Sequence, residues 1–364
     1  MTPLSIVHTE SSLGWGGQEI RILSESQGLA RRGHRVRVLC AHGARLAVEA
    51  AAWDVPVETL PIARKNLAGL RAISGWLREH RCDLVNTHSS TDSWLVALAR
   101  RFGSGAVPVV RTRHISAAVP RNALSRWLYQ SATTMIVTTG EALRRQLIEA
   151  NGFDARRIVS VPTGIDAGHF RPGSRAAARA ALGLSPAPIL VGIVATLRSW
   201  KGHLTLIEAL AQLPETIELV IVGDGPMREV LRARIEALGL EERVRLPGNQ
   251  ADVLPWLHAL DVFALPSFAN EGVPQALVQA MLCALPCVTT NVGSIAELAT
   301  HDSTALVVPP QDARALAAAI RRLAETEGLR LELGEAARKH CVENFSYERM
   351  LDRMESIYRQ VARA

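Results

Sequence analysis

Glu271 and Gln279 stand eight positions apart in the stretch SFANEGVPQALVQAML, residues 267–282, with Gly272 and Pro274 just after the acid. An apolar strand runs into a loop here, and a helix-forming segment follows. Pro274 suits the first helical position, where its missing N–H leaves nothing unsatisfied, so a helix is expected over about 274–285. Glu271 then lies on the loop and Gln279 about a turn and a half inside the helix. Eight residues of helix rise about 12 Å, which is close to the length of a sugar, a diphosphate and part of a ribose laid end to end. Amides at the helix start can receive anionic oxygens.

Other residues at expected strand ends carry chemistry of the same kind. In VATLRSWKGH, Arg198 and Lys201 are three apart after a strand and before a helix, so both can aim at one diphosphate or simply be solvated. In LGWGGQE, Gly14, Gly16 and Gly17 lie between the first strand and first helix, open to an anionic ligand or serving only as a tight turn. Glu19 falls where a dinucleotide-binding fingerprint would have its third glycine, which argues against nicotinamide or flavin. His88 in NTHSSTD and His114 in RTRH end two strands and either border a substrate or satisfy local hydrogen bonds. Asp92, Arg113 and Glu19 are weaker candidates that surface charge explains equally well, and Asn249 ends a later strand.

These residues need a scaffold of alternating strands and helices. LSIVHTE, HRVRVLC, VPVETLP, CDLVNTH, VPVVRTRH, TTMIVTT and IVSVP read as strands in the first half. A stretch rich in Pro, Gly and small residues, 162–188, interrupts the alternation. It resumes with PILVGIVATL, IELVIVGDG, VRLPG, DVFALPS, PCVTTNV and ALVVPP. Strand, helix, strand in repetition predicts parallel sheets covered on both faces, hence two doubly wound α/β domains joined near 165–185. In such sheets ligands bind beyond the carboxyl ends of the strands, where the candidates above fall. The last segment, SYERMLDRMESIYRQVARA, is an amphipathic helix with no strand after it.

Composition agrees with this division. A chain of 364 residues exceeds what one hydrophobic core usually serves. Its 48% hydrophobic and 21% charged residues describe a globular protein, with no apolar run long enough to span a bilayer and no secretory leader. Five scattered cysteines, at 40, 82, 283, 287 and 341, have no partners at metal-ligand spacing and read as free thiols in a reducing cytoplasm. Up to residue 171 there are 22 Lys and Arg against 13 Asp and Glu, and beyond it 19 against 22, so the net charge of +6 belongs to the first half. Such a surface suits an anionic membrane face or a phosphorylated substrate, or is merely solvated; a nucleic-acid partner is not expected.

The ordered landmarks GWGGQE with LARRGHRV, VATLRSWKGH, IVGDGP, DVFALPSFANEGVPQALVQAM and VGSIAEL resemble those of family-4 retaining glycosyltransferases, across about residues 4 to 345. The resemblance implies the GT-B fold, two Rossmann-like doubly wound domains facing across a cleft. Residues 1–170 would form the acceptor-binding domain, with a crossing helix at 346–364, and residues 171–345 the nucleotide-sugar donor domain. It further implies that Gly16 and Gly17 face the donor's β-phosphate and sugar, and that Arg198 and Lys201 neutralise the departing diphosphate. Glu271 would contact the transferred sugar, the amides of Gly272 and Val273 the phosphates, Gln279 the ribose, and Asn249 the region of the base. His88 joins Glu271, Arg198 and Lys201 as a catalytic candidate, and His114, Arg113, Glu19 and Asp92 are placed with the acceptor.

Two positions depart from the family pattern. Gln279 stands where the second of two glutamates is usual, and keeps one acceptor and one donor without the charge. Thr196 stands where a phosphate-binding arginine is common, with Arg198 two positions on as its substitute. The implied enzyme is a metal-independent, hexosyltransferase-type enzyme without a cofactor. It would move a sugar with retention from a nucleoside diphosphate to a hydroxyl of a cell-envelope glycan or lipid-linked acceptor. Its expected location is the cytoplasm, with peripheral contact at the inner face of the membrane. The absence of any Asp-x-Asp agrees with metal independence. A sugar-nucleotide epimerase or phosphorylase on the same fold, or a non-catalytic sugar-nucleotide-binding protein, are the alternatives.

Overall fold

The computed structural model describes residues 2–103, 107–114, 118–269 and 271–363. Two compact units divide the chain. One runs from the N-terminus to Thr163 and regains the chain from Glu348 onward, and the other covers Gly164–Tyr347.

The first unit is built on seven strands: β1 Ser5–Glu10, β2 Arg35–Ala41, β3 Val57–Leu60, β4 Leu84–Thr87, β5 Val109–Arg113, β6 Met135–Thr138 and β7 Ile158–Ser160. All pair in parallel, in the order β3-β2-β1-β4-β5-β6-β7. All are short, and β4 and β6 are buried throughout, as expected of strands covered on both faces, whereas the edge strand β3 is only half-buried. Parallel pairing requires a crossover after every strand, and helices supply most of them. Their starts are fixed by side chains: Asn66 accepts from the Gly69 amide at 2.9 Å, and Asn122 accepts from the Ser125 amide at 2.8 Å. Ile22, Leu23, Ile73, Trp76 and Leu95 from these helices pack on Val7, Val38 and Val85 of the sheet.

The second unit has six parallel strands: β8 Ile189–Val194, β9 Ile217–Val222, β10 Val244–Gly248, β11 Val262–Leu265, β12 Cys287–Thr289 and β13 Leu306–Val307. Their order is β10-β9-β8-β11-β12-β13. All thirteen segments expected as strands contain one. The Pro- and Gly-rich stretch after residue 162 holds a short helix, Arg175–Ala181, which sequence reading left as a break. Arg179 is buried and bonds Asp261 at 2.5 Å, Arg175 reaches the same carboxylate at 2.5 Å, and Asp261 also accepts from the Leu190 amide at 2.8 Å. One buried acid at the base of β11 thus orders that segment.

In both sheets the winding reverses once, between β1 and β4 and between β8 and β11. A crevice at the carboxyl ends of the strands follows from that reversal.

The helix Tyr347–Val361 ends the chain, and from Glu348 it packs on the first unit. Arg32 meets Glu348 at 2.5 Å, Asp352 at 2.8 Å and Glu355 at 3.2 Å. Tyr358 is fully buried; it donates to Glu25 at 2.5 Å and accepts from Asn86 at 2.6 Å, and Asn86 in turn accepts from Thr112 at 3.0 Å. Burial and the Glu25 carboxylate hold the phenol far above its ordinary pKa, so it remains a donor. Tyr358→Phe leaves Glu25 and Asn86 each short of a partner and is expected to lower the unfolding free energy of this unit by about 1–3 kcal/mol. The shift in urea midpoint measures it, and an unchanged midpoint would show that the bond to Glu25 contributes no net stability.

Candidate active site

At the β8/β11 reversal two loops are joined directly. The loop after β8 ends in Ser199–Lys201 and Gly202, and the loop after β11 runs through Pro266 to Glu271. The Phe268 amide donates to the Trp200 carbonyl at 2.8 Å. Gly202 has φ +78°, and a Cβ there would overlap the Pro266 carbonyl, so only glycine lets the loops touch. Lys201 Nζ then sits 2.7 Å from Glu271 Oε1, which also accepts from Ser267 Oγ at 2.6 Å. Glu271 is 6% exposed. Its carbonyl accepts from the Ser294 amide at 3.2 Å, across the close approach of Gly293, whose φ is +59°. The VGS landmark therefore holds Glu271 from behind.

The segment after Glu271 departs from expectation at its start. Pro274 is the cap rather than the first helical residue, with ψ at 118°, and the helix is Gln275–Leu282. The Pro274 carbonyl accepts from the amides of Leu277 and Val278 at 3.1 and 3.2 Å, so the ring serves as an extended lead-in. Gly272 and Val273 donate their N–H groups to nothing among the described residues. Gln279 is half-buried inside the helix with no side-chain hydrogen bond among the described residues. Arg198 is exposed, 5.8 Å from the Trp200 ring, and has no carboxylate partner among the described residues. Asn249 is exposed directly after β10.

The remaining candidates lie in the first unit. Gly16 precedes the helix Gly17–Arg31 with extended backbone, φ −178°. A Cβ there would make only an ordinary 3.8 Å contact with Glu19, so the fold itself does not require glycine at this position. Glu19 is buried in the first turn of the helix. Asp92 is placed otherwise than as an acceptor contact: it is fully buried and takes four hydrogen bonds, from Thr9 Oγ1 at 2.7 Å, the His88 and Ser89 amides at 2.9 Å each, and Ser89 Oγ at 2.7 Å. Together Ser89 and Asp92 form a capping box on the helix Ser90–Arg101. Arg113 donates to the Tyr129 hydroxyl at 2.8 Å. His88 uses both ring nitrogens internally, 2.9 Å from His8 and 2.9 Å from His114, so neither is left for a substrate. His114 is half-buried at the end of β5.

The comparisons with known proteins agree with this arrangement. The family model for glycosyl transferases group 1 matches residues 174–340, and that for glycosyltransferase family 4 matches residues 15–169. A D-inositol 3-phosphate glycosyltransferase of Rhodococcus jostii is 30% identical, over 94% of this chain and 84% of its own length. The chain belongs to the family-4, group 1 glycosyltransferases. It has the GT-B fold. A Rickettsia africae glycosyltransferase superposes with a TM-score of 0.90 at 21% identity, covering 99% of both chains. Anabaena HepE in complex with UDP gives 0.89 at 22% identity, covering 98% of this chain and all of that one, and HepE with UDP-glucose gives 0.85. The protein is therefore a glycosyltransferase, and the epimerase, phosphorylase and non-catalytic readings go no further. Among the described residues no helix is long and apolar enough to cross a membrane.

Several polar residues of the transferase escaped sequence reading. Glu10, at the end of β1, is buried; it accepts from the Ser12 amide at 2.7 Å and from the Gln18 side chain, and so shapes the glycine loop. Arg111 on β5 is 4% exposed, stacks 4.3 Å over the Tyr129 ring, and leaves Nη1 without a hydrogen-bond partner. Lys65 bonds Ser90 Oγ at 3.2 Å, at the start of the helix Ser90–Arg101, and lies 5.8 Å from the Trp94 ring. Its pKa is lowered by burial and then by the charge of Arg111. Two cations thus share one region with no carboxylate paired to either among the described residues.

Glu10 makes stability depend on pH. Desolvation, then the charge of Asp92, raises its pKa from 4.5 to about 7, against the hydrogen bonds it accepts. A carboxyl raised on folding stabilises the fold fully below pH 4.5, and that stability is lost as pH rises through about 7. Glu10→Gln removes the titration while keeping an acceptor. The thermal midpoint of the variant should gain on wild type between pH 5 and pH 8, by an amount equivalent to about 3 kcal/mol at most. A constant difference across that range would show that Glu10 does not titrate there.

Proposed function

We propose that the protein transfers a sugar, with retention of anomeric configuration, from a nucleoside diphosphate sugar held at the β8/β11 edge to a hydroxyl of an anionic, cell-envelope or lipid-linked acceptor. The observation that carries the donor half is the Lys201–Glu271 pair, with Arg198 three positions before Lys201 and without a carboxylate partner among the described residues. An acid that anchors on a lysine at 2.7 Å still has lone pairs for sugar hydroxyls. The lysine and Arg198 face the leaving diphosphate with positive charge. Unpaired amides of Gly272 and Val273 add donors for phosphate oxygens, Gln279 reaches the ribose, and Asn249 lies toward the base. Gly16 and Gly17 are assigned to the β-phosphate and sugar on family resemblance, helped by a Gly16 backbone that the fold leaves free to take a side chain. HepE's complexes with UDP and UDP-glucose support a uridine donor.

The acceptor half rests on charge. Lys65 and the buried Arg111 invite an anionic group, as does the name of the Rhodococcus relative, which specifies a phosphorylated acceptor. Beside Lys65 a cavity of about 300 Å³ is lined by Leu67, Leu70, Trp94, Leu95 and Leu98, which suits the apolar part of a lipid-linked molecule. Under this reading Arg113, Glu19 and His114 border the acceptor, and the basic first unit favours contact with an anionic membrane face.

UDP-glucose at a hundredfold excess over its Kd should stabilise the wild type by about 2.7 kcal/mol, read as a raised thermal midpoint. Lys201→Ala and Glu271→Ala should each reduce transfer by about 10²–10³-fold. An inverted anomeric proton in the product's NMR spectrum would overturn retention, and no thermal response to any sugar nucleotide would overturn the donor assignment. Gln279→Glu restores a charge-assisted bond to the ribose and should tighten donor binding about fivefold, equivalent to about 1 kcal/mol; unchanged affinity by calorimetry would remove Gln279 from the ribose.

A further inference from the structure

Three imidazoles form a chain in the first unit. His8 lies within β1, His88 directly after β4 and His114 directly after β5. His8 Nδ1 is 2.9 Å from His88 Nε2, and His88 Nδ1 is 2.9 Å from His114 Nε2. His8 and His88 stack with ring centroids 5.2 Å apart, and His88 and His114 are also at 5.2 Å. His8 is fully buried and His88 nearly so. The pKa values of all three are lowered, chiefly by burial and further by the fixed charge of Arg21, so the chain is neutral.

A neutral imidazole has one N–H and one lone pair. Two consecutive bonds through His88 must therefore run in the same sense, and choosing the proton on one ring fixes it on the others. The far nitrogen of His8 decides the sense. Its Nε2 is enclosed and has no hydrogen-bond partner among the described residues. If the chain ran from His114 inward, that nitrogen would carry a buried proton with no acceptor. If it runs outward, the nitrogen is a bare lone pair. Orphaned buried N–H groups are rarer than under-satisfied acceptors, which favours the bare lone pair. The outward sense leaves His8, His88 and His114 each protonated on Nδ1. His114 Nδ1, which makes no hydrogen bond among the described residues, then ends the chain as a donor.

We propose that His8 and His88 are positioning residues that lock His114 in its Nδ1–H tautomer, so that it offers a neutral hydrogen-bond donor to a substrate oxygen. This rests on the transferase reading insofar as that oxygen belongs to acceptor or sugar; the tautomer itself does not. Free histidine favours the Nε2–H form, so a fixed Nδ1–H form is a property the chain must impose.

The test is long-range ¹H–¹⁵N NMR of the full chain labelled with ¹⁵N-histidine at neutral pH, paired with the rate of UDP release from UDP-glucose. Wild type should show His8, His88 and His114 protonated on Nδ1 with bare Nε2, assigned by loss of signals in single variants. His8→Phe removes the first donor, so His114 should shift toward the Nε2–H form and UDP release should fall at least about tenfold. His8→Asn places an amide N–H where Nδ1 was and should restore both tautomer and rate. If His8→Phe does not fold, His88→Phe, which neither accepts from His8 nor donates to His114, is read in the same way. An Nε2–H form of His114 in wild type overturns the proposal. So does an unchanged His114 pattern in His8→Phe, or an altered pattern with an unaltered rate. Absence of UDP release from wild type, with the Nδ1–H pattern intact, would count against the donor reading and leave the tautomer lock standing.

Discussion

Parallel pairing of every strand is the constraint on which the rest depends. A parallel strand cannot return through a tight turn, so each connection crosses a face of the sheet and each strand finishes at the same edge. In both units the winding reverses once, and the two strands that part there send their following helices away from each other. Lys201 and Glu271 meet because β8 and β11 are neighbours at such a reversal. His8, His88 and His114 meet because β1, β4 and β5 are adjacent, with His8 opposite Asn86 and Thr87 opposite Arg111. Chemistry gathered from residues 70 or 80 positions apart is a direct outcome of strand order.

The two units handle charge in opposite ways. At the β8/β11 edge Lys201 remains partly accessible and is paired with the buried Glu271, an arrangement in which a ligand's hydroxyls and phosphates can join existing partners. Beneath the β1/β4 edge charge is buried and either neutralised or tied down. Arg21 and Glu25 have no exposure; Arg21 bonds the Val161 carbonyl at 2.7 Å, and Glu25 accepts a hydrogen bond from Tyr358. Removing one member of such a network leaves another stranded at low dielectric, so these residues hold one another in place.

The legibility of the sequence follows the range of the interactions. Strand positions were readable because β-branched runs mark them locally, and the Glu271 loop was readable because its chemistry lies within one segment. Pro274 misled by a single position, since a proline fits both a cap and a first turn and only ψ separates them. Asp92 reads from the sequence as a weak acceptor candidate or a surface charge, although Ser89 and Asp92 stand at capping-box spacing, a cue the sequence contains. Asp261, which orders the helix Arg175–Ala181, gave no sign of itself because its partners lie about 70 to 86 positions upstream. The ties from Tyr358 to Glu25 and from Asn86 to Tyr358 span 333 and 272 positions. No periodicity or motif encodes such contacts; they exist only once the last helix has packed.

Neutrality of the histidine chain acquires meaning beside the proposed reaction. A departing diphosphate calls for cations, the role proposed for Arg198 and Lys201. The sugar carbon passes in the opposite direction, toward positive charge, and an imidazolium near it would raise the barrier. An imidazole that is buried, deprived of carboxylate neighbours in hydrogen-bond contact and linked to two others can orient an oxygen without adding a charge. His8 has Glu25 within electrostatic reach, which favours protonation, and Arg21 opposing it. Those two residues form an ion pair 3.4 Å apart without exposure; at His8 the effect of Glu25 is the larger, whereas at His88 and His114 Arg21 lowers the pKa with no carboxylate opposing it among the described residues. The buried Arg21–Glu25 pair that Tyr358 joins is thus part of the electrical environment in which the proposed neutral donor at His114 would work.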